Sequence, residues 1–237
     1  MKSVATILIG ALLLLPVGLV VMQACGRSPR PLIDHAINSM PVTLTSSLGL
    51  RSAEPVVLGD WPPKRDEVFP DLVLHDQDGN PTRLSEFAGK IILVEYAAIP
   101  CVGCQAFAGG MEKGPFGGFQ TQPGLESIDV YAKRFAGVEL GTEDIVFVQV
   151  LLYGESNSAP TQREVAGWAA HFEMNRAENR IVLRGDASML SRETYDMIPG
   201  FHVIDRDFVL RADSCGHQPL ENLYTELLPK LGELARQ

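Results

Sequence analysis

The longest runs of hydrophobic residues predict the strands of a central sheet. Residues 91–96 and 145–152 are almost continuously apolar, as expected of strands that are buried on both faces. A shorter run at 181–183 predicts a third strand of this kind. Residues 71–75 and 81–84 flank the turn sequence Gln-Asp-Gly-Asn, and we expect them to form a hairpin ahead of the first long strand.

Helical spacing appears between and after these strands. A capping box from Thr161 to Glu164 predicts a helix with Trp168 on its buried face. Residues 201–212 predict a closing hairpin, and a last helix opens at Pro219 and contains Pro229, where we expect a kink or an early stop. This order of elements predicts an α/β fold with one central mixed sheet flanked by helices.

The N-terminal segment follows neither pattern. Residues 4–22 carry no charge and are about long enough to span a bilayer. The sequence Met-Gln-Ala-Cys that ends at Cys25 resembles a bacterial lipoprotein box, in which this cysteine would be lipidated. We therefore expect residues 1–25 to be a signal peptide, a lipoprotein signal or a membrane anchor. Each alternative places the remaining chain outside the cytoplasm, in a bacterial periplasm, with the membrane contacted only through the N-terminus.

Residues 26–65 are rich in Pro, Ser and Arg, and their hydrophobic residues follow neither the helical nor the strand period for long. They predict a flexible tether, followed by a folded domain at residues 66–237.

The charge balance restricts the partners. The chain has 20 Lys and Arg against 29 Asp and Glu, a net charge of −9. An acidic surface gains no counterion release from nucleic acid and is not attracted to anionic lipid. We expect no nucleic-acid binding, and partners that are proteins or small thiols.

Cys101 and Cys104 are the candidate reactive groups. They directly follow the buried strand at 91–96, so a helix that begins there would place Cys101 at its N-terminus. The helix dipole and free N–H groups would lower the pKa of Cys101 and make it the attacking thiol. Cys104, one turn later, would be the more buried, resolving thiol. We expect this redox-active disulfide to be the functional group, with no other cofactor.

The alternative interpretation of the cysteine pair is half of a zinc site. Zinc would need two more Cys or His ligands at compatible spacing. Only Cys215 and scattered histidines are available, so we expect no metal.

Three segments together, residues 69–79, 84–90 and 91–104, resemble the redoxin branch of the thioredoxin superfamily. The closest groups are the membrane-anchored TlpA/ResA-like thiol reductases and the AhpC/TSA peroxiredoxins. The resemblance implies a thioredoxin-like fold over about residues 66–235, with an N-terminal hairpin extension. A Gly-rich insertion at about 110–143 follows the active-site helix and is interpreted as a lid, a docking surface or a family-specific loop.

The resemblance also implies roles for individual residues. Glu95 falls where thioredoxin has a buried Asp that takes the proton of the resolving cysteine; the alternative is a buried carboxyl group satisfied by a local hydrogen bond. Pro199 precedes the closing hairpin as the family's cis-proline does, and would expose the backbone of Ile198 to a substrate strand; the alternative is a trans turn proline. The returning strand of the closing hairpin is expected to bring Cys215 beside Pro199, where it is a candidate third redox thiol. Its alternatives are a free thiol elsewhere or a disulfide to Cys25.

These residues predict an extracytoplasmic thiol–disulfide oxidoreductase of the reductase or isomerase type. It would exchange disulfides with exported proteins and receive electrons from an upstream donor. A peroxiredoxin is disfavoured because Ala98 stands where the peroxidatic motif has Thr or Ser. A Sco-type copper chaperone is a further alternative, although that family spaces its cysteines by three residues and has a His where this chain has Met197.

Overall fold

The structure is a computed structural model that describes residues 56–237. Eight strands form one mixed sheet in the order β1-β2-β6-β5-β4-β7-β8, and β3 pairs with β2 outside this path. The strands are β1 Val56–Leu58, β2 Asp71–His75, β3 Pro81–Arg83, β4 Ile91–Ala98, β5 Ile145–Tyr153, β6 Arg180–Arg184, β7 Gly200–Ile204 and β8 Leu210–Cys215. Strands β4, β5 and β6 are parallel, whereas β7 runs antiparallel to β4 and β8 antiparallel to β7.

Helices connect these strands and cover the sheet. The α-helices of this region are α1 Val102–Phe107, α2 Gly110–Lys113, α3 Ile128–Tyr131, α4 Gln162–His171, α5 Arg192–Asp196 and α6 Leu228–Ala235. A π-helical turn, Ala132–Ala136, continues α3, and another, Leu223–Leu227, leads into α6. Short 3-10 turns lie at Leu84–Phe87, Phe116–Gly118, Arg176–Glu178 and Ala187–Met189. Between residues 56 and 237, no helix has the length and hydrophobicity needed to cross a membrane.

The centre of the sheet is the pair β4 and β5. Every side chain of both strands is buried, because parallel strands with helices on both faces have no side exposed to water. Their register begins with Ile91 opposite Ile145 and includes Glu95 opposite Gln149. The predicted fold class, a central mixed sheet flanked by helices, is confirmed.

Two helical predictions have different outcomes. The capping box at α4 is present, with Thr161 and Glu164 bonded reciprocally, and Trp168 is fully buried. The expected early stop at Pro229 is wrong, because α6 continues to Ala235. The hydrogen-bond pattern changes from π to α just before Pro229, so this proline falls in the first turn of α6, where a missing N–H is tolerated.

The folded region begins earlier than the predicted boundary at residue 66. Strand β1 pairs with β2, with Val56 opposite Val73. The Trp61 indole donates a hydrogen bond of 3.0 Å to Thr194 Oγ1 and lies edge-on to Tyr96, 5.7 Å between ring centroids. Residues 56–65 are therefore part of the domain and not of a tether. The signal or anchor prediction for 1–25, lipidation of Cys25 and the tether up to residue 55 lie outside the described residues.

Candidate active site

The cysteine pair lies where the central strand passes into its helix. Cys101 is the N-cap of α1, and it is joined to Cys104 by a disulfide with a Cα–Cα distance of 5.2 Å. Cys101 is partly exposed, whereas Cys104 is completely buried. An incoming thiol can therefore reach only the sulfur of Cys101.

The backbone at the start of α1 interacts directly with the outer sulfur. The N–H of Cys104 donates a hydrogen bond of 3.1 Å to Cys101 Sγ. An N-cap acceptor satisfies a backbone donor that has no partner within the helix. After reduction, a thiolate on Cys101 would accept the same bond more strongly, because hydrogen bonds to an ionised acceptor are the stronger ones.

Cys101 opens into a cavity of about 540 Å³ that Ile198 and Pro199 also line. The Ile198–Pro199 peptide bond is cis, as predicted. A Cβ atom placed on Gly103 would lie 3.3 Å from Pro199 Cγ, so the proline ring faces the first turn of α1. The N–H of Ile198 already donates a hydrogen bond of 3.2 Å to the carbonyl of Tyr195. A substrate strand would therefore pair with the Ile198 carbonyl or displace this bond.

The Gly-rich insertion forms one wall of this cavity. Gln122 and Leu125 line it, and the N–H of Gln122 donates a hydrogen bond of 2.9 Å to the carbonyl of Val102. The insertion is thus tied to the helix that carries the cysteines. The insertion therefore borders the approach to Cys101, and the lid, docking-surface and family-specific-loop interpretations stay predictions.

Gln105, in α1 directly after Cys104, fastens the insertion. This buried side chain donates from Nε2 to the carbonyls of Ile99, at 2.7 Å, and Phe116, at 3.2 Å. Its Oε1 accepts a 2.8 Å hydrogen bond from the N–H of Phe116. One amide therefore links the turn after β4, helix α1 and the insertion.

Glu95 is a fully buried carboxyl group in β4. Gln149 Nε2 donates a hydrogen bond of 2.8 Å to its Oε2, and the Trp168 indole donates to Gln149 Oε1 at 3.0 Å. The other carboxyl oxygen, Oε1, has no partner among the described residues. Burial raises the pKa of Glu95 from 4.5 to about 8, against the opposing effect of the Gln149 hydrogen bond.

The sheet register places Glu95 on the face that α1 covers. Phe201 in β7 is directly opposite Glu95, and directly opposite residues project to the same face. The ring of Phe107, in α1, packs against that of Phe201 with centroids 5.1 Å apart. Glu95 and the inner cysteine Cys104 are therefore on the same side of the sheet.

Cys215 lies beside the start of β7, as predicted, but its side chain is on the face of the sheet opposite to Glu95 and Cys104. It pairs with Gly200, the residue after Pro199, and its Sγ is 3.2 Å from His202 Nε2. Burial, together with the negative charge of Asp213, raises the pKa of the Cys215 thiol. Since the thiolate is the nucleophile, a thiol kept protonated reacts slowly. A third redox role for Cys215 stays a prediction.

Several residues that line the cavity are not predicted from the sequence. Tyr195 and Asp196 reach it from α5, Tyr224 from the segment before α6, and His217 from the turn after β8. The hairpin geometry that located Cys215 would also have brought His217 to this edge. For the others, no local pattern distinguishes a cavity residue from an ordinary surface residue.

Comparisons with known proteins give weak similarities only. No family model matches the chain. Among solved structures, a candidate protein disulfide isomerase from Bacteroides thetaiotaomicron is 15% identical, with a TM-score of 0.46 over 79% of this chain and 96% of that one. The thioredoxin domain of a thiol-disulfide oxidoreductase from Bacteroides vulgatus is 14% identical, with a TM-score of 0.44 over 72% and 96%. BsSco, a member of the Sco family of cytochrome c oxidase assembly proteins, is 13% identical, with a TM-score of 0.44 over 73% and 96%.

At these identities and TM-scores, the similarities assign no activity to this chain. Its own geometry is more informative. A disulfide at the end of the central parallel strand faces a cis-proline that precedes an antiparallel hairpin. With this arrangement on a mixed sheet flanked by helices, the chain has a thioredoxin-like fold.

Proposed function

We propose that this protein is a thiol–disulfide oxidoreductase that exchanges disulfides with exported proteins through Cys101 and Cys104. The observation that carries the proposal is the asymmetry of the pair. Cys101 is partly exposed and accepts a backbone hydrogen bond at the start of α1, whereas Cys104 is buried behind it. Disulfide exchange needs one accessible sulfur to form a mixed disulfide and a second, protected sulfur to resolve it.

In the reducing direction, the Cys101 thiolate attacks a substrate disulfide. The Cys101–substrate bond forms as the substrate S–S bond breaks, and the substrate thiolate leaves. Cys104 then loses its proton and attacks Cys101 Sγ, which releases the reduced substrate and restores the Cys101–Cys104 disulfide. An upstream dithiol returns two electrons and two protons. The same steps in reverse oxidise a substrate, and the reduction potential decides the direction.

Glu95 has the properties of a proton acceptor for Cys104. Its pKa of about 8 is close to that of an ordinary thiol, and such matching favours proton transfer near neutral pH. It lies on the face that α1 covers, and its Oε1 has no partner among the described residues. At neutral pH only the minor, ionised fraction of Glu95 can accept the proton, directly or through water, and the protonated form can return it when the disulfide is reduced.

The cavity beside Cys101 suits an extended polypeptide. Val102 and Tyr195 line it and keep 43% and 56% of their surface exposed. Ile198, next to cis-Pro199, lines the same cavity, and its carbonyl is available for main-chain pairing. Apolar contacts combined with backbone pairing would bind many sequences without selecting one side chain.

The proposed location is outside the cytoplasm. It rests on the uncharged run at residues 4–22 and the lipoprotein-like sequence that ends at Cys25. Exported substrates and a membrane-side electron donor follow from this location.

A trapping experiment tests the function. A Cys104→Ser variant of the full chain, expressed in its native host, should accumulate mixed disulfides between Cys101 and exported proteins, since the resolving thiol is absent. Cys101→Ser should trap nothing, and Cys215→Ser should trap no more mixed disulfide than the wild-type protein does. Failure of Cys104→Ser to capture any exported protein, with the variant folded and Cys101 reduced, would contradict the proposal.

The two alternative functions fit the site less well. A peroxidase activates its thiolate with Arg, and no Arg or Lys is among the described residues that line the cavity. A Sco-type copper site needs a His beside the cysteine pair. His217 lines the same cavity as Cys101 but, within residues 56–237, the pair belongs to no cluster of three or more potential metal ligands; His202 clusters with other residues on the opposite face.

A further inference from the structure

The hairpin of β7 and β8 brings together three metal-binding side chains outside the disulfide site. His202 Nε2 lies 3.2 Å from Cys215 Sγ and 3.2 Å from Asp213 Oδ1. The three ligand atoms are all within 4.8 Å of one another. Among the described residues, this is the one group of three or more His, Cys, Asp or Glu residues that converges in this way.

The strand register explains the convergence. His202 in β7 is directly opposite Asp213 in β8, and Cys215 is two residues further along β8. Because side chains alternate between faces with a period of two, all three project to the same side of the sheet. They are fixed by two hydrogen-bonded strands and not by a flexible loop.

The imidazole of His202 is already oriented as a ligand. Tyr96, fully buried in β4, places its hydroxyl 3.0 Å from His202 Nδ1. Metal binding would require the tautomer in which Nδ1–H donates to this hydroxyl, which leaves the Nε2 lone pair directed at the other two side chains. Metal-bound histidines commonly have such a partner on the second nitrogen, and it fixes the tautomer and ring orientation.

We propose that His202, Asp213 and Cys215 bind a divalent transition-metal ion of the zinc type, with a fourth position open to water or an external ligand. Sulfur, nitrogen and carboxylate oxygen are the three donors that zinc takes in proteins. Ligand atoms of a tetrahedral zinc site are separated by roughly 3.2–3.7 Å, as follows from the usual bond lengths. The distances from His202 Nε2 agree with this spacing.

Charge and exposure support the same ion. A thiolate on Cys215 and a carboxylate on Asp213 together carry two negative charges, which a divalent cation neutralises. Binding converts the Cys215 thiol to a metal-bound thiolate and releases one proton to solvent, with no change of oxidation state. Asp213 keeps 18% of its side chain exposed, against 1% for His202. The ion would therefore enter from the side of Asp213, and its open coordination position would face the same side.

Occupation of this site would change what Cys215 can do. A metal-bound thiolate cannot exchange with the Cys101–Cys104 disulfide, so the metal site and a third redox role are mutually exclusive. The proposal does not depend on the disulfide cycle, because none of its ligands belongs to the cavity at Cys101.

Cobalt is a suitable probe because Co²⁺ replaces zinc and reports its ligands by absorption. The test uses the full chain with Cys25→Ser, Cys101→Ser and Cys104→Ser, which leaves Cys215 as the only one of four cysteines. We expect one equivalent of Co²⁺ to bind, with a thiolate-to-cobalt charge-transfer band and the intense visible bands of tetrahedral cobalt, and Zn²⁺ to displace it. Absence of the charge-transfer band in the folded protein would overturn the proposal.

Further variants in the same background separate ligands from neighbours. Asp213→Asn, at a partly exposed position, should weaken cobalt binding at least tenfold, and Cys215→Ser should abolish the charge-transfer band. Tyr96→Phe should weaken binding about tenfold through the orientation of His202. The matched control Asp207→Asn, in the exposed turn of the same hairpin, should bind as its parent does. Cobalt affinity that survives Asp213→Asn unchanged would reject the three-ligand site. Circular dichroism verifies that each variant is folded.

Discussion

Gln149 donates a hydrogen bond of 2.8 Å to Oε2 of Glu95, while Oε1 of the same carboxyl group has no partner among the described residues. The pair lies opposite in register at the centre of the sheet. One hydrogen bond does not compensate for the burial of a charge, so the pKa of Glu95 is raised to about 8. The protein therefore holds an uncharged acid at neutral pH on the side of the sheet where Cys104 lies.

The first prediction concerns stability as a function of pH. In the unfolded chain Glu95 has a pKa of 4.5, against about 8 in the fold, so the native state binds one more proton between these values. The contribution of Glu95 to the free energy of unfolding should therefore fall as pH rises, by about 1.4 kcal/mol per pH unit, and level off above the folded pKa. Glu95→Gln lacks this contribution. Denaturant unfolding from pH 4.5 to 9 should show the variant gaining stability relative to wild type over that interval.

All other titrating groups are shared by the two proteins, so the difference between their curves isolates Glu95. A constant difference across the interval would mean that Glu95 titrates normally in the fold.

The second prediction concerns the order in which the thiols react. In the disulfide form of the structure, Cys101 is partly exposed and accepts the Cys104 N–H, Cys104 is buried, and burial raises the pKa of Cys215. We expect the same arrangement of the three sulfurs after reduction. At pH 7, iodoacetamide should modify Cys101 at least about tenfold faster than Cys104 or Cys215, because only the thiolate reacts. Time-resolved peptide mass spectrometry measures the three rates. Faster modification of Cys215 than of Cys101 would reverse the assignment of the attacking thiol.

The parts of the site that could be predicted are those that a short stretch of sequence determines. Nearly continuous apolar runs identified β4 and β5, because strands buried on both faces have few polar positions. Cys101 and Cys104 follow β4 directly, and Pro199 immediately precedes β7. Each of these positions needs only a short stretch of sequence to interpret.

The remaining parts depend on contacts between distant residues. Strand β1 has three residues, too few to show an alternating pattern, and Trp61 is held by Thr194, 133 residues away. The position of the insertion depends on Gln105, a polar residue in an apolar helix that carries no signal of its partners. Likewise, the convergence of His202 with Asp213 and Cys215 appears only once the hairpin register is known.

The third prediction concerns the attachment of the insertion. Gln105→Leu keeps most of the side-chain volume but removes three hydrogen bonds, to Ile99 and to the N–H and carbonyl of Phe116. Buried backbone groups left unpaired are costly, so we expect a loss of about 3 kcal/mol in the free energy of unfolding. Amide hydrogen exchange at Phe116 should also accelerate.

The control for this change is Gln122→Ala, on the exposed side of the insertion. It keeps the backbone bond from residue 122 to the Val102 carbonyl and should alter stability by less than about 0.5 kcal/mol. Equal effects of the two substitutions would show that Gln105 does not fasten the insertion.

The last prediction concerns access to Cys101 between the insertion and the cis-proline. A Cβ atom on Gly103 would lie 3.3 Å from Pro199 Cγ, 3.4 Å from Gln122 Oε1 and 4.0 Å from Cys101 Sγ. Gly103→Ala requires only small shifts of these neighbours, whereas Gly103→Leu would fill the space beside the sulfur. A small thiol can still approach Cys101 from outside, but an extended polypeptide must lie along Pro199. We therefore expect Gly103→Leu to lower kcat/KM for a protein disulfide by about tenfold or more, with less than a twofold change in reduction of the Cys101–Cys104 disulfide by dithiothreitol. Gly103→Ala should lie close to wild type in both assays.

If Gly103→Leu slows the reaction with dithiothreitol as much as the reaction with the protein disulfide, Leu blocks the sulfur itself. If it slows neither reaction, polypeptides do not use this wall of the cavity.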